Sequence, residues 1–220
     1  MTEVYPLLQY AHILLLVYWL GTDVGVYLAS RYVGRADLAL SERRRFLDLL
    51  IALDMGPRTA LVLMIPTGTL MLWIAQWLQL GEMLVVVIVS SSAAWLALVW
   101  FLHRRPSAPP VWKTLDLILR SLVVIVMAML GGAIILGVIP GPRWLGIKFI
   151  AFGGAVLCGI LLRRVLAVWA VGFAELREVA TASRGNERIA GAMSASARYA
   201  MVLWACVLLA AFCGVVKPLW

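Results

Sequence analysis

Residues 83–102 read MLVVVIVSSSAAWLALVWFL, a stretch of twenty residues without a charged side chain. A helix that crosses a bilayer needs about 20 predominantly apolar residues, so this stretch predicts a transmembrane helix. Similar apolar runs predict six spans in all, at 6–32, 46–78, 83–102, 115–139, 144–173 and 198–216. We therefore expect an all-α polytopic membrane protein, a six-transmembrane-helix bundle that forms a single integral membrane domain over residues 1–220.

The composition excludes a soluble globular protein. Of the 220 residues, 64% are apolar and 14% are charged, whereas soluble domains are about 45–50% apolar and about 25% charged. Six spans use roughly 120 positions, which leaves no room for a separate soluble domain. The 19 lysine and arginine residues outnumber the 11 aspartate and glutamate residues, but they separate apolar runs and form no basic face. This pattern excludes a nucleic-acid partner and makes the lipid bilayer the expected surroundings.

The N-terminal run and the cysteines carry no sign of processing or of thiol chemistry. Residues 1–6 contain neither lysine nor arginine, and no small-residue cleavage pattern follows them, so the run predicts a retained first helix rather than a signal peptide. Cys158, Cys206 and Cys213 lie in apolar runs without a Cys-x-x-Cys motif. We interpret them as buried thiols.

Basic residues are concentrated in alternate connections between the spans. The first, third and fifth connections, counted together with Arg31, Arg163, Arg164 and Arg198 in the neighbouring parts of the spans, contain 14 of the 19 basic residues, the second contains none, and the fourth contains Arg143. The positive-inside rule places the basic connections in the cytoplasm, so we expect a bacterial inner-membrane protein with both termini in the periplasm. The fifth connection, 174–197, is polar enough to form a surface helix, which we expect to be interrupted near Gly185 and Asn186.

Five ionisable side chains are predicted near the cytoplasmic ends of the spans. Asp54 and Arg58 are four residues apart, as are Asp116 and Arg120, so each pair can form a salt bridge on one helix face. Asp23 joins them from the first span. Ionisable groups inside a membrane are costly and often functional. This inner polar cluster predicts either structural pairs at the interface, or a proton path or a site for an anionic head group.

The two pairs also resemble one another in their surroundings. They lie 62 residues apart, and each is followed by a hydroxyl residue and then by Gly68 or Gly131. This similarity indicates a duplicated two-helix unit whose two copies point the same way through the membrane.

A second group of side chains is predicted near the periplasmic surface. His12 and Lys148 belong to this layer, together with the neighbouring aromatic residues Tyr10, Trp19 and Trp144. A histidine at this depth can ligate haem iron or copper, or it can satisfy a backbone carbonyl of a neighbouring helix. Asp23 is eleven residues beyond His12, so it points the same way but lies about 16 Å deeper.

The other histidine and the methionines of the chain are less well placed to bind a metal than His12. His103 is the only other histidine and lies at the cytoplasmic end of the third span, so it cannot clamp one haem together with His12. The chain also has Met64, Met71, Met127 and Met129, whose thioethers can bind copper, but their spacing is more typical of core packing.

Two short motifs resemble those of a known superfamily. Residues 12–21, HILLLVYWLG, resemble the opening helix of the superfamily that holds HemJ-type protoporphyrinogen IX oxidases and CopD-type membrane proteins, with a histidine, a tryptophan seven residues on, and a glycine. Residues 143–149, RWLGIKF, are similar to the Trp-Leu-x-x-Lys motif of a later helix in that group. The resemblance implies that His12 is an axial ligand of a b-type haem and that Lys148 is its partner in porphyrinogen oxidation.

Three functions follow as hypotheses. The first is a haem-b-binding, redox-linked membrane protein that passes electrons between a porphyrin or quinol and the haem, with Lys148 and Asp23 in the reaction and with Tyr10, Trp19 and Trp144 lining the pocket. The second is a copper-handling transporter of the CopD kind, with His12 and methionines as ligands. The third is a non-catalytic subunit held in a homo-oligomer or a larger membrane complex by its Asp/Arg pairs and small-residue faces.

Overall fold

The computed structural model describes residues 4–178 and 180–218 of the chain. Its helices are α1 (Val4–Val33), α2 (Leu40–Leu53), α3 (Met55–Ala75), α4 (Glu82–Arg104), α5 (Pro110–Ile135), α6 (Arg143–Glu175) and α7 (Ala182–Val216). This part of the chain contains no strand. Six segments are long and apolar enough to cross a membrane, one of them formed by α2 and α3 together. The predicted all-α fold with six spans is therefore confirmed.

The outside of the bundle is apolar. Leu7, Val86 and Met129, on three different helices, are 62–69% exposed. Apolar surface of this extent belongs in lipid rather than in water. The chain is thus an integral membrane protein in contact with the bilayer.

Proline and glycine explain where α5 and α6 begin and end. Pro110 is the first residue of α5, a position at which the missing N–H of proline costs nothing. Gly137 follows the end of α5 with a φ of 74°, which is the left-handed conformation that glycine adopts without strain. Pro142 then precedes α6, so the connection between the two helices is short.

The second span is broken at Asp54, between α2 and α3. Pro57 has no N–H to donate to the carbonyl of Leu53, so the helical ladder is interrupted there. The N–H of Arg58 still donates to the carbonyl oxygen of Asp54 at 3.3 Å, which restarts the helix directly. Asp54 and Arg58 lie at this break, with side chains that are 21–25% exposed.

Helix α7 is longer than the predicted sixth span, which began at Arg198. It runs without interruption from Ala182 to Val216, so the expected break near Gly185 and Asn186 is wrong. A Cβ atom on Gly185 would lie 2.7 Å from the carbonyl oxygen of Gly172 in α6. This glycine therefore allows two helices to cross closely and does not end one.

The spans form two sets of helices with a space between them. Helix α3 packs against α1 and α4, and α6 packs against α5 and α7. The two sets meet mainly where α1 contacts α7 and where α4 contacts α5. The connections 34–39 and 105–109 lie at one end, together with the end of α6 at Glu175 and the start of α7 at Ala182, and we call this the basic end. The connections 76–81 and 136–142 lie at the opposite end.

The helix pairs of the suggested two-helix unit, α3 with α4 and α5 with α6, do pack together. The glycines that follow the two Asp/Arg pairs have different neighbours, however. Gly68 faces the ring of His12 in α1, whereas Gly131 faces the backbone of Gly146 in α6. The similarity between the two units does not extend to these glycines.

The close contact of α5 with α6 predicts unequal effects at two adjacent glycines. A Cβ atom on Gly131 would lie 2.6 Å from the carbonyl oxygen of Gly146, whereas Gly132 has nothing within 4 Å. We expect Gly131→Val to destabilise the protein by about 1–3 kcal/mol through overpacking, and Gly132→Val to have little effect. Thermal unfolding of both variants in detergent tests this, and equal losses of stability would contradict it.

Candidate functional site

A cavity of about 390 Å³ lies between the two sets of helices, toward the end opposite the basic one. We call it the large cavity. It is lined by residues of α1 and α3 to α7 and is mainly apolar. Its volume falls within the roughly 300–1,000 Å³ typical of small-molecule and cofactor sites. His12, Trp19, Trp144 and Lys148, which the sequence analysis placed in one site, all line it.

His12 is held by one hydrogen bond that also determines its tautomer. The hydroxyl of Thr67 donates its only proton to the carbonyl oxygen of Leu63 at 2.8 Å. Its oxygen lies 2.8 Å from His12 Nδ1, and while the hydroxyl donates to Leu63 this oxygen accepts from Nδ1–H. The other ring nitrogen, Nε2, is left with a free lone pair. A neutral imidazole with a fixed ring orientation and a free Nε2 is the usual form of a metal-binding histidine.

Lys148 brings a positive charge into the same cavity. A Cβ atom on Gly214 of α7 would lie 2.5 Å from Lys148 Nζ, so the absence of a side chain at Gly214 makes room for the ammonium group. Within residues 4–178 and 180–218, Lys148 forms no ion pair with a carboxylate. An ammonium group in mainly apolar surroundings is costly unless an anion pairs with it. The cavity is therefore suited to a ligand that carries a negative group.

Aromatic rings line the large cavity near each of its two ends. Toward the end opposite the basic end, Trp144 packs edge to face on Trp77 with the ring centres 5.0 Å apart. Lys217 Nζ lies 4.6 Å above the Trp77 ring. Toward the basic end, Trp19 packs edge to face on Phe152 at 6.1 Å. Trp19 is 1% exposed and closes this end of the cavity.

Tyr10 does not line the large cavity with the other predicted residues. It is 62% exposed on the outer surface of α1, two residues and therefore about 200° around the helix from His12. Tyr5 and Gln9 line the cavity from this part of α1 instead.

Three of the four methionines also line the large cavity, namely Met64, Met71 and Met127. Met129 is 69% exposed on the outside of α5. His103 lies in the last turn of α4, at the basic end, and its ring packs against Trp100 at 6.0 Å. Among the described residues, no group of three or more histidine, cysteine, aspartate or glutamate side chains could hold a metal ion.

The inner polar cluster centres on Asp116, which is completely buried. Asp116 Oδ2 accepts hydrogen bonds from Arg120 Nε at 3.2 Å and from Arg163 Nη1 at 2.5 Å. Its other oxygen, Oδ1, accepts one from Trp95 Nε1 at 2.8 Å. The predicted salt bridge between Asp116 and Arg120 is thus present, and two further donors strengthen it.

The other predicted members of the cluster are also brought together. Asp54 and Arg58 form the predicted ion pair. Asp23 Oδ2 accepts a hydrogen bond from Trp204 Nε1 at 2.6 Å. A pocket of about 80 Å³, which we call the small pocket, lies among these residues, and it is lined by Asp23, Asp54, Arg58, Arg120, Arg163 and Trp19 together with neighbouring apolar residues. Trp19 lines both spaces and separates the small pocket from the large cavity.

Four residues of these sites were not predicted from the sequence: Thr67, Trp95, Arg163 and Trp204. For Arg163 a signal existed, because it interrupts an apolar run inside the predicted fifth span, although it was counted with the basic connection. The other three are common residues in apolar helices, and their partners lie 21 to 181 residues away in the chain. Nothing local in the sequence identifies them.

Comparisons of the chain with protein-family models, with curated proteins and with solved structures find no match.

Proposed function

We propose that the chain binds a b-type haem in the large cavity, with His12 Nε2 as the iron ligand, and that it takes part in electron transfer with a porphyrin or a quinol. The observation that supports this most directly is the Thr67 hydrogen bond, since it leaves a free lone pair on Nε2 in an apolar cavity of cofactor size. The resemblance of residues 12–21 and 143–149 to the HemJ-type and CopD-type superfamily supports the same function.

The other residues of the cavity suit a haem. Haem carries two propionate carboxylates on an apolar macrocycle, and Lys148 supplies a cation for one of them. Trp19 and Trp144 offer flat apolar surfaces beside it. When bound, the haem would supply one-electron chemistry, while the protein holds the ring, pairs its negative charge and keeps water away from the iron.

The route into the cavity favours a lipid-soluble substrate. Ile13, Leu122, Val126 and Val215 line the large cavity and are also 37–65% exposed on the outside of the bundle. The cavity therefore reaches the surface that faces lipid. Porphyrins and quinols are both apolar enough to enter from the bilayer.

Substituting Thr67 tests whether His12 binds the haem iron, while the His12 side chain itself stays in place. We expect Thr67→Val, which removes the acceptor for Nδ1–H, to weaken haem binding by about 10- to 100-fold, the usual effect of losing a partner of a metal-binding histidine. Thr67→Ser keeps the hydroxyl and is expected to bind haem as the wild type does. The measurement is a haem titration of purified apoprotein followed by the Soret absorption. Equal affinities of the two variants would contradict the proposed ligand geometry.

Copper handling is the second candidate function, and one observation favours it. Met64, Met71 and Met127 line the same cavity as His12, and thioether and imidazole ligands together suit Cu(I). Metal analysis of the purified protein separates the two functions, because iron with porphyrin absorption supports haem and copper without porphyrin supports transport.

We also propose that the basic end faces the cytoplasm of a bacterium and that both termini lie in the periplasm. The charge difference between the two sets of connections supports this orientation. In this orientation the large cavity lies in the periplasmic half of the inner membrane and the small pocket in the cytoplasmic half.

A further inference from the structure

We propose that the small pocket is a hydrated proton-binding site in which Asp23 exchanges protons with water that enters at the basic end. The inference goes beyond the proposed haem function and does not depend on it, since it rests on different residues. Three observations carry it: a pocket large enough for water among charged side chains, a carboxylate without a cation, and a graded exposure along the pocket.

The small pocket lies among polar residues, some of which have buried donors without acceptors. Five buried side-chain polar atoms in the described part of the chain lack a hydrogen-bond partner. Three of them, Trp19 Nε1, Arg120 Nη2 and Trp169 Nε1, belong to residues that line this pocket. A buried donor without an acceptor is costly, and water usually satisfies such groups. The pocket volume of about 80 Å³ is enough for roughly two or three water molecules.

Water also suits the acceptors that the pocket offers. Asp23 Oδ2 accepts from Trp204, but Asp23 Oδ1 has no hydrogen bond with any residue that the structure describes. Bound water can donate to this oxygen.

The charges around the pocket leave Asp23 as the carboxylate without a cation. Arg58 pairs with Asp54, and Arg120 and Arg163 both pair with Asp116. Asp23 has a neutral donor, Trp204, and forms no ion pair within residues 4–178 and 180–218.

A carboxylate without a cation in a buried site is the group that a proton neutralises most readily. The charged groups that face the pocket are Asp54 at the break between α2 and α3, Arg58 on α3, Arg120 on α5 and Arg163 on α6. Helix α7 contributes the hydroxyl of Ser196.

Exposure decreases along the pocket from the basic end inward. The side chains of Arg58, Asp54 and Arg163 are 21–28% exposed, Asp23 is 7% exposed and Trp19 is 1% exposed. Water therefore has access at the Arg58 and Asp54 pair, and Trp19 stops it from reaching the large cavity. The proton moves from bulk water through bound water to Asp23 Oδ1, and no other group is consumed.

Infrared difference spectroscopy of the apoprotein in lipid vesicles tests the proposal, with no haem added. Spectra at acidic pH minus alkaline pH are recorded for the wild type, Asp23→Asn and Asp48→Asn. Asp23→Asn retains an oxygen that accepts from Trp204, so the fold should survive. Asp48 is exposed on α2 and serves as the matched control.

All 11 aspartate and glutamate residues can contribute carboxylic C=O absorption, so we expect one component in the wild type that shifts in D₂O, is lost in Asp23→Asn and persists in Asp48→Asn. A missing band, a band that persists in Asp23→Asn, or a band that does not shift in D₂O would overturn the proposal. If Asp23→Asn does not fold, Trp204→Phe replaces it: the variant keeps the carboxyl but removes its donor, so the band must move, and an unchanged band would overturn the proposal. Since these spectra need no haem, a protein that fails to bind haem leaves their outcome interpretable.

Discussion

Replacing Asp116 with leucine is expected to prevent stable folding, with a loss of about 3–5 kcal/mol. Asp116 is completely buried and is the acceptor for Arg120, Arg163 and Trp95. Without it, the guanidinium of Arg120, whose side chain is 3% exposed, has no counter-charge in a membrane interior. The loss of stability comes from the buried positive charges that are left without a counter-charge, rather than from the loss of favourable contacts.

The second Asp/Arg pair provides a matched control. Asp54 and Arg58 have the same spacing, but their side chains are 21–25% exposed, so water can solvate Arg58 when its partner is lost. We expect Asp54→Leu to cost about 1 kcal/mol or less. Thermal unfolding of both variants in detergent, followed by size-exclusion chromatography, measures the difference. Similar unfolding temperatures for the two variants would contradict the assignment of Asp116 as the centre of the cluster.

Replacing Lys148 with methionine is expected to change stability and haem affinity in opposite directions. The apoprotein should become more stable by about 1–4 kcal/mol, because an ammonium group without a counter-charge is replaced by an apolar side chain. Haem binding should weaken by about 1.5–3 kcal/mol, the contribution of a hydrogen bond to a charged group, which corresponds to roughly 10- to 150-fold in affinity.

Unfolding of the apoprotein and a haem titration measure the two effects separately. Lys113→Met is the control, because Lys113 lies near the basic end, donates to the carbonyl oxygen of Pro106 at 2.9 Å and does not line the large cavity. A Lys148→Met variant with lowered stability would show that Lys148 has a structural partner, and unchanged haem affinity would remove it from the binding site.

Most of the fold could be predicted because membrane spans are determined locally. Each apolar run is long enough to form its own helix, and the bilayer requires every backbone group to be satisfied within that helix. The start of α7 could not be predicted in this way. Residues 182–197 are polar enough to resemble a connection, and they are helical because Gly185 and Ile189 pack against Gly172 of α6. Because that contact is between two different helices, the sequence of residues 182–197 alone gives no sign of it.

The candidate site was predicted in part. Depth in the membrane follows from counting residues, so His12 and Lys148 were correctly placed in one layer, and both line the large cavity. Tyr10 was included because it is near His12 in sequence, but the helical repeat of 3.6 residues already places it on another face. Thr67, 55 residues from His12, could not be identified, because a hydroxyl in a membrane helix ordinarily bonds the carbonyl of its own preceding turn.

The role of His12 is tested most directly by one absorption measurement. Protein purified from cells grown with ample haem is examined oxidised and then reduced with dithionite, beside His12→Ala and the control His103→Ala. We predict a Soret band and a reduced α-band in the wild type and in His103→Ala, and neither band in a folded His12→Ala protein. A spectrum without these bands in the wild type, or one that is unchanged in His12→Ala, would contradict haem ligation by His12.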